Sequence, residues 1–457
     1  MRVLLISTYE LGRQPFGLAS PAAWLRKSGA CVTCLDLSVQ PFQTQLIEEA
    51  DLIAFYLPMH TATRMALRIL GRVKALNPDA HLCFYGLYAP MNAAYLRKLG
   101  AHTILGGEFE KGLAQLVESL ADTQKGSWRN PQPTAPISLG KQQFLVPERF
   151  GLPPLVHYAH LELGDGQPHT VGYTEASRGC KHLCRHCPIV PIYQGQFRIV
   201  QREIVLADIR NQVEVGAEHI TFGDPDFFNG IGHALALVNS LHREYPALTY
   251  DVTIKIEHLL KYSRHLGTLR DTGCLFVTSA VESVDDHVLQ LLEKGHTRRD
   301  FLRVVDLFRR TGLTLSPTFV TFTPWTAWEG FRDLLSVLAD LDLIDNVSPI
   351  QLAIRLLIPA GSKLLEVPEL LEMLGEFDEA ALSYRWTHSD PSLDQLCNRI
   401  RRLVKNSEAK GISRREIFSE IWKMANPTGT VQNELIRRMP LGLPRASIPY
   451  LNEPWYC

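Results

Sequence analysis

The stretch Glu175–Pro191, "EASRGCKHLCRHCPIVP", decides how this chain is read. It sets Cys180, Cys184 and Cys187 with three and then two residues between them. Neighbours this close make poor disulfide partners and one thiol would be left over, so the group points to a bound metal. Three thiolates on one loop can ligate three irons of a [4Fe-4S] cube and leave the fourth iron open for another ligand. A structural zinc site using the same cysteines with His182 or His186 meets the spacing as well. Gly179 allows tight wrapping of the backbone, and Arg178, Lys181 and Arg185 offer positive charge beside anionic sulfur.

Working outward, the loop follows a strand-like "TVGYTEASRG" and opens a series of apolar runs: "HITFGD", "YDVTIKI", "CLFVTSAVES", "LSPTFVTF" and "IQLAIRLLIP". Helical patterns such as "DFLRVVDLFRRTG" and "GFRDLLSVLADL" separate them. Repeated βα units of this kind predict a full or partial (β/α) barrel with its chemistry at the C-terminal ends of the strands. Upstream, "RVLLIS", "CVTCLDL", "LIAFYL", "HLCFYG" and "HTILGG" alternate with amphipathic segments and predict an open parallel sheet of Rossmann or flavodoxin type, with Cys31 and Cys34 as buried strand residues. The fold class is therefore α/β. The expected divisions are a Rossmann-like domain over 1–123, a Pro- and Gly-rich linker or wrapping segment over 124–165, a barrel over 166–360 and a mainly helical region over 361–457.

The 457 residues are too many for one ordinary core. Lys plus Arg (47) nearly balances Asp plus Glu (48), so nothing in the overall charge argues for nucleic acid or an anionic membrane surface as partner. A small molecule or a peptide is the simpler substrate. The first residues fit a buried strand better than a signal peptide, no apolar run approaches membrane-spanning length, and nine unevenly spread cysteines do not form a secreted disulfide framework. A cytoplasmic location is expected. Neither GxGxxG nor GxxxxGK[ST] is present, which removes support for a dinucleotide or nucleoside triphosphate site.

The CxxxCxxC arrangement ahead of a βα series resembles the radical S-adenosylmethionine (SAM) superfamily. The resemblance implies a [4Fe-4S] cluster on Cys180, Cys184 and Cys187, SAM chelated by the open iron, reductive cleavage of SAM to a 5'-deoxyadenosyl radical, and an external electron donor such as flavodoxin or ferredoxin. His186 stands where that family usually carries an aromatic residue. "FGDPDFFNG" falls where the family contacts the SAM amino group, making Asp224 and Asp226 candidates, although Asp-Pro-Asp is also good turn chemistry. Lys255, Glu282 and Ser283 fall at later strand ends where ribose or carboxylate ligands are often placed. "LEKGHT" recurs in cobalamin-type members, and also reads as a helix stop at Gly295.

The pairing with a Rossmann-like domain resembles the cobalamin-binding branch, most closely through "GLYAPMNAAYLRKLGAHTILGGEFEKGLAQL" with Gly106, Gly107 and Glu108 at a strand end. The DxHxxG signature is absent and His60 lies in a different setting, so cobalamin would bind without that axial histidine or not at all. A narrower likeness, to the CUAEP/CCAEP-tail radical SAM proteins, rests on "GCKHLCRHCPIVPIYQGQFR", "TFTPWT", "RLLIPAGSKLL" and the closing "EPWYC". It implies that a second Cys or selenocysteine and Ala-Glu-Pro follow, as when an in-frame UGA is read as a stop, and makes Cys457 a candidate catalytic or redox residue. The leading expectation is a radical SAM enzyme acting on a small metabolite or peptide, with cobalamin-linked methyl transfer as one subtype. The alternatives are 3-amino-3-carboxypropyl transfer and a non-catalytic zinc-binding protein. Trp325, Trp386 and His388 are further candidates for a cavity wall.

Overall fold

A computed structural model describes residues 1–122, 136–164, 166–426 and 450–451. The first sheet contains β1 (Arg2–Ser7), β2 (Cys31–Asp36), β3 (Leu52–Tyr56), β4 (His81–Tyr85), β5 (Thr103–Gly107) and β6 (Ile137–Ser138), in the order 2-1-3-4-5-6. All its pairings are parallel. The five apolar runs become β1 to β5 because each is buried on both faces, which is what near-continuous hydrophobic strands require. Cys34 is buried as expected, whereas Cys31 is exposed at the start of its strand. Order reverses between β1 and β3, which is where open α/β sheets form their crevice.

The second sheet contains β7 (His160–Glu162), β8 (Pro168–Thr174), β11 (His219–Phe222), β12 (Thr249–Thr253), β13 (Cys274–Glu282) and β14 (Thr314–Phe319); the intervening β9 (Ser177–Gly179) and β10 (Phe197–Ile199) form a separate hairpin. Strands β8 and β11 to β14 run parallel as a curled half-barrel. Alternation along them sends Ile220, Phe222, Tyr250, Val252, Val277, Leu315 and Phe319 into the core shared with the outer helices. At the other edge β7 lies antiparallel to β8, and β17 (Tyr450–Leu451) pairs antiparallel with β7.

Two elements depart from expectation. "IQLAIRLLIP" forms a 3-10 turn at Pro349–Ala353 and a single bridge, Phe322 to Arg355, rather than a strand. Its backbone is diverted because the Gln351 side chain accepts from the Phe319 amide and the Gln351 carbonyl accepts from Thr321 Oγ1, occupying the β14 end. Within the C-terminal region a hairpin, β15 (Leu374–Asp378) with β16 (Ser383–Trp386), precedes the helices Pro391–Glu408 and Arg414–Ala425. Among the described residues no helix is long and apolar enough to cross a membrane.

Candidate active site

The cysteine loop is an excursion between β9 and β10. Gly179 closes it at φ +74°, where an added Cβ would lie 2.5 Å from the Gln196 carbonyl oxygen and 2.4 Å from the Tyr193 ring. Backbone amides then fold the loop on itself: Cys187 donates to the Cys184 carbonyl at 3.1 Å, and Val190 to that of Cys187 at 3.2 Å. The Arg185 amide ties it to the Leu292 carbonyl at 3.0 Å, and Asn229 Oδ1 accepts from the Lys181 amide. Burial pushes the Cys187 thiol up to about 12, against the opposing amide of Ile189, and raises Cys180 too. Such thiols hold their protons until a metal displaces them.

A buried ammonium, Lys294, faces Cys184 and Cys187. It lies 3.3 Å from Glu282 Oε1, which is also 3.0 Å from His186 Nε2. Burial alone would raise the Glu282 carboxyl, but the Lys294 charge and the His186 contact overcome it and hold it at about 2. His186 is thereby committed to Glu282. On the other side of the loop Cys180, His182 and Asp226 bring ligand atoms within 4.8 Å of one another, the arrangement a zinc ion would use. Three loop thiols backed by a buried cation equally fit an anionic thiolate-held iron-sulfur cluster.

Asp224 turns back onto the strand that launches the loop, accepting from the Ala176 amide at 2.9 Å and from Ser177 Oγ at 2.5 Å. Burial raises its pKa to about 7 despite those bonds. Asp226 is engaged by His258 at 2.7 Å and His182 at 3.3 Å, and these imidazoles outweigh burial to lower its pKa. Lys255 Nζ lies 3.4 Å from Glu257. Ser283 Oγ accepts from the Asp285 amide, a turn contact. Cys457 lies outside the described residues.

A cavity of about 550 Å3 opens between the two sheets. The first sheet supplies Glu10, Leu11 and Arg13 after β1, Pro58 and Met59 after β3, Leu87 after β4, and Gly107 and Phe109 after β5. The half-barrel supplies Tyr173, Thr221, Asp224, Asp251, Thr278 and Ser316, and the cysteine loop supplies Ser177 to Gly179 and Ile189. Asp224 and Gly107 therefore reach the cavity, while Asp226, Lys255, Glu282, Ser283 and Gly106 are not in its wall. The open side of Gly106 is filled by Pro90, where a Cβ would come within 2.2 Å, and that of Gly107 by the Ser138 carbonyl at 2.2 Å. The two glycines thus serve protein packing in this conformation. His60 Nε2 donates to the Ala381 carbonyl oxygen at 2.6 Å and does not line the cavity. Trp325, Trp386 and His388 are likewise elsewhere, in or near a separate apolar cluster.

Sequence reasoning treated Arg178 only as nearby charge. It is buried and joins the cysteine-loop strand to the first sheet, with Glu110 at 2.7 Å, Glu108 at 3.5 Å and Glu175 at 2.6 Å, under the rings of Phe16, Phe109 and Phe144. Glu10 and Asp251 also carried no motif; their only signal was a carboxylate just beyond an apolar run for Glu10 and within one, between Tyr250 and Val252, for Asp251.

Residues 174–335 match the family described as the Radical SAM superfamily. Over 361 residues the chain is 23% identical to the hopanoid C-3 methylase of Methylococcus capsulatus, covering 76% of this chain and 68% of that protein. It is 24% identical over 183 residues to the ribosomal protein uS12 methylthiotransferase RimO of Bacteroides thetaiotaomicron, covering 36% of this chain and 40% of that one. In fold it is similar to the cobalamin-dependent SAM radical enzyme OxsB, solved with aqua-cobalamin and SAM bound (TM-score 0.69, 14% identity, 89% of this chain and 67% of that one). It is also similar to the radical SAM methyltransferase TsrM from Kitasatospora setae, solved with cobalamin and a [4Fe-4S] cluster (TM-score 0.55, 19% identity, 75% of this chain and 70% of that one). A Radical SAM domain implies a [4Fe-4S] cluster and SAM as cofactors.

Proposed function

We propose that this radical SAM enzyme, whose family domain spans residues 174–335, transfers a methyl group from SAM to a small molecule or peptide, with cobalamin as methyl carrier. The observation that carries the reading is the cavity walled on one side by the ends of β1, β3, β4 and β5 and on the other by the half-barrel and the cysteine loop. A carrier on the first sheet would lie beside the segment that bears the cysteines, although Cys180, Cys184 and Cys187 are not themselves in the cavity wall. The methylase and methyltransferase likenesses support the subtype.

Cys180, Cys184 and Cys187 would hold the cluster, which when bound supplies the electron that cleaves SAM. An external reductant such as flavodoxin or ferredoxin would recharge it. The chain's own residues set the stage. Arg178 locks the loop strand to the first sheet, Lys294 offsets thiolate charge, and Asp224 fixes the backbone at Ala176 and Ser177. Leu11, Pro58, Met59 and Leu87 present an apolar wall suited to the face of a planar macrocycle, and among the described residues that line the cavity none is a histidine.

The test is anaerobic. The protein is reconstituted with iron, sulfide and cobalamin, and given a strong reductant and SAM carrying a trideuterated methyl group. Release of 5'-deoxyadenosine with label on cobalamin is the expected outcome. Methylthioadenosine would instead indicate aminocarboxypropyl transfer, and bound zinc without iron would sink the enzyme reading.

A further inference from the structure

The inner face of the half-barrel is unlike the rest of the interior. Positions that alternate with the core residues on β11 to β14 are Thr221, Asp251, Thr253, Thr278, Ser316 and Thr318, and all six line the cavity. In register, Thr221 lies beside Asp251 and Asp251 beside Phe276, forming one layer; Thr253, Thr278 and Ser316 form the next layer toward the strand ends. Five hydroxyls and one carboxylate on adjacent strands make this a hydrogen-bonding chamber, with Phe276 beside Asp251 and Tyr173 of β8 beside Thr221 as its aromatics.

Two of those groups carry an oxygen with no hydrogen bond. Asp251 is 4% exposed and its Oδ2 accepts none; it faces the imidazole of His219, whose Nε2 lies 3.6 Å away and whose Nδ1 is bonded to Thr249 Oγ1 at 2.8 Å. Thr221, 3% exposed, has an Oγ1 with no hydrogen-bond partner. A buried carboxylate oxygen left unpaired is costly, so its retention at an inward strand position calls for a ligand that completes it. Depth separates this place from the cofactor end. Thr221 lies within β11, whereas Asp224 lies beyond the strand's end at Phe222, beside the segment that leads into the cysteine loop. The other charged cavity residues, Glu10, Arg13, Glu175 and Arg178, lie on or against the first sheet, and Arg414 at the floor donates to the Asp345 carbonyl.

We infer that the lower barrel is the substrate subsite, and that it takes a small polyhydroxylated amine: its ammonium on Asp251, its hydroxyls on Thr221, Thr253, Thr278 and Ser316. This deepens the function proposed above and rests on it only for the identity of the neighbouring cofactors. A hydrocarbon skeleton fits this face less well, because it would offer the five hydroxyls no hydrogen bond.

The test uses full-length reconstituted protein saturated with S-adenosylhomocysteine, so that the SAM site is filled, and ligand-observed NMR on matched probes. These are D-glucosamine against D-glucose, an aminocyclitol against inositol, and cyclohexylamine against cyclohexanol. Amino polyols should bind at least tenfold more tightly than their neutral or apolar counterparts, and Asp251→Asn should abolish that preference. Thr278→Val, which removes one hydroxyl at nearly constant volume, should weaken the amino polyols with the amine preference intact. Equal binding of amines and neutral polyols, tighter binding of the apolar pair, or an amine preference that survives in Asp251→Asn would overturn the inference. So would an Asp251→Asn variant that loses S-adenosylhomocysteine in step with the amines, since Asp251 would then belong to the cofactor site. SAM cleavage is read separately, so failure of the radical reading and failure of the substrate class show as different results.

Discussion

Lys294 Nζ sits 3.3 Å from Glu282 Oε1 in the interior while its charge also faces Cys184 and Cys187, so one buried cation answers to a carboxylate and two metal-ligand candidates. Removing it by Lys294→Met should leave Glu282 uncompensated and cost about 3–5 kcal/mol of stability. Adding Glu282→Gln should restore much of that loss. Urea unfolding of the two variants, with iron content per chain, checks the pairing; a double variant no more stable than Lys294→Met would refute it.

Arg178 faces three carboxylates, and one guanidinium cannot be replaced by a point charge. Arg178→Lys should lower stability by more than 1 kcal/mol, and Arg178→Met by about 3–5 kcal/mol. Both should reduce iron loading, because the guanidinium belongs to the strand that opens into Cys180. The measurement is chemical denaturation alongside iron quantitation.

Asp224 makes a signed prediction. Its folded pKa of about 7 lies above the ordinary aspartate value of about 3.9, so the native state binds the extra proton. Its contribution therefore turns unfavourable as pH rises from about 4, and reaches its full penalty above about 7. Asp224→Asn should flatten the stability profile across that window and be relatively more stable at pH 8 than at pH 5. Denaturation midpoints at several pH values decide it; an unchanged slope would count against the assignment.

Gly179→Ala introduces a Cβ 2.5 Å from a carbonyl oxygen at positive φ. The cysteine loop should fail to close, with more than a tenfold loss of bound iron and little change in far-ultraviolet circular dichroism. Retention of wild-type iron would show that the loop tolerates another path.

His60 should be a bystander to any corrin. Because its Nε2 is 2.6 Å from the Ala381 carbonyl oxygen, His60→Ala should leave the absorption spectrum of protein-bound cobalamin unchanged. A spectral shift on substitution would place that imidazole on the metal.

Strands β1 to β5 and β8 and β11 to β14 were legible because short apolar runs bounded by turns leave little choice of element, whereas β6 and β7 lie in the stretch expected to be a linker. The spacing of the three cysteines marked the loop as a metal site, but it fits zinc as well as an iron-sulfur cluster. The hairpin at Leu374–Trp386 was not, since its alternation is short and half-exposed, and "IQLAIRLLIP" misled because a buried apolar segment need not be a strand. At the site, position singled out Asp224 as a SAM contact, and it lines the cavity while bonding Ala176 and Ser177; the roles of Arg178, Glu108, Glu110 and Asp251 depend on which strand ends meet across the two sheets. That meeting is tertiary. Lys294 looked like an ordinary helix-end residue, and only the packing of its loop against Arg185 brings it under the thiols.

The pairing of Tyr450–Leu451 with Leu161–Glu162 joins segments almost three hundred residues apart in the sequence, at the border of the half-barrel sheet. During synthesis β7 therefore emerges long before its outer neighbour, and its free backbone amides and carbonyls are a template for any passing strand. The first sheet, complete by Ser138, can close while the ribosome is still working on the barrel. Chains released before residue 450 would keep that border open, and should show their defect as self-association during expression, even where the metal site itself is intact.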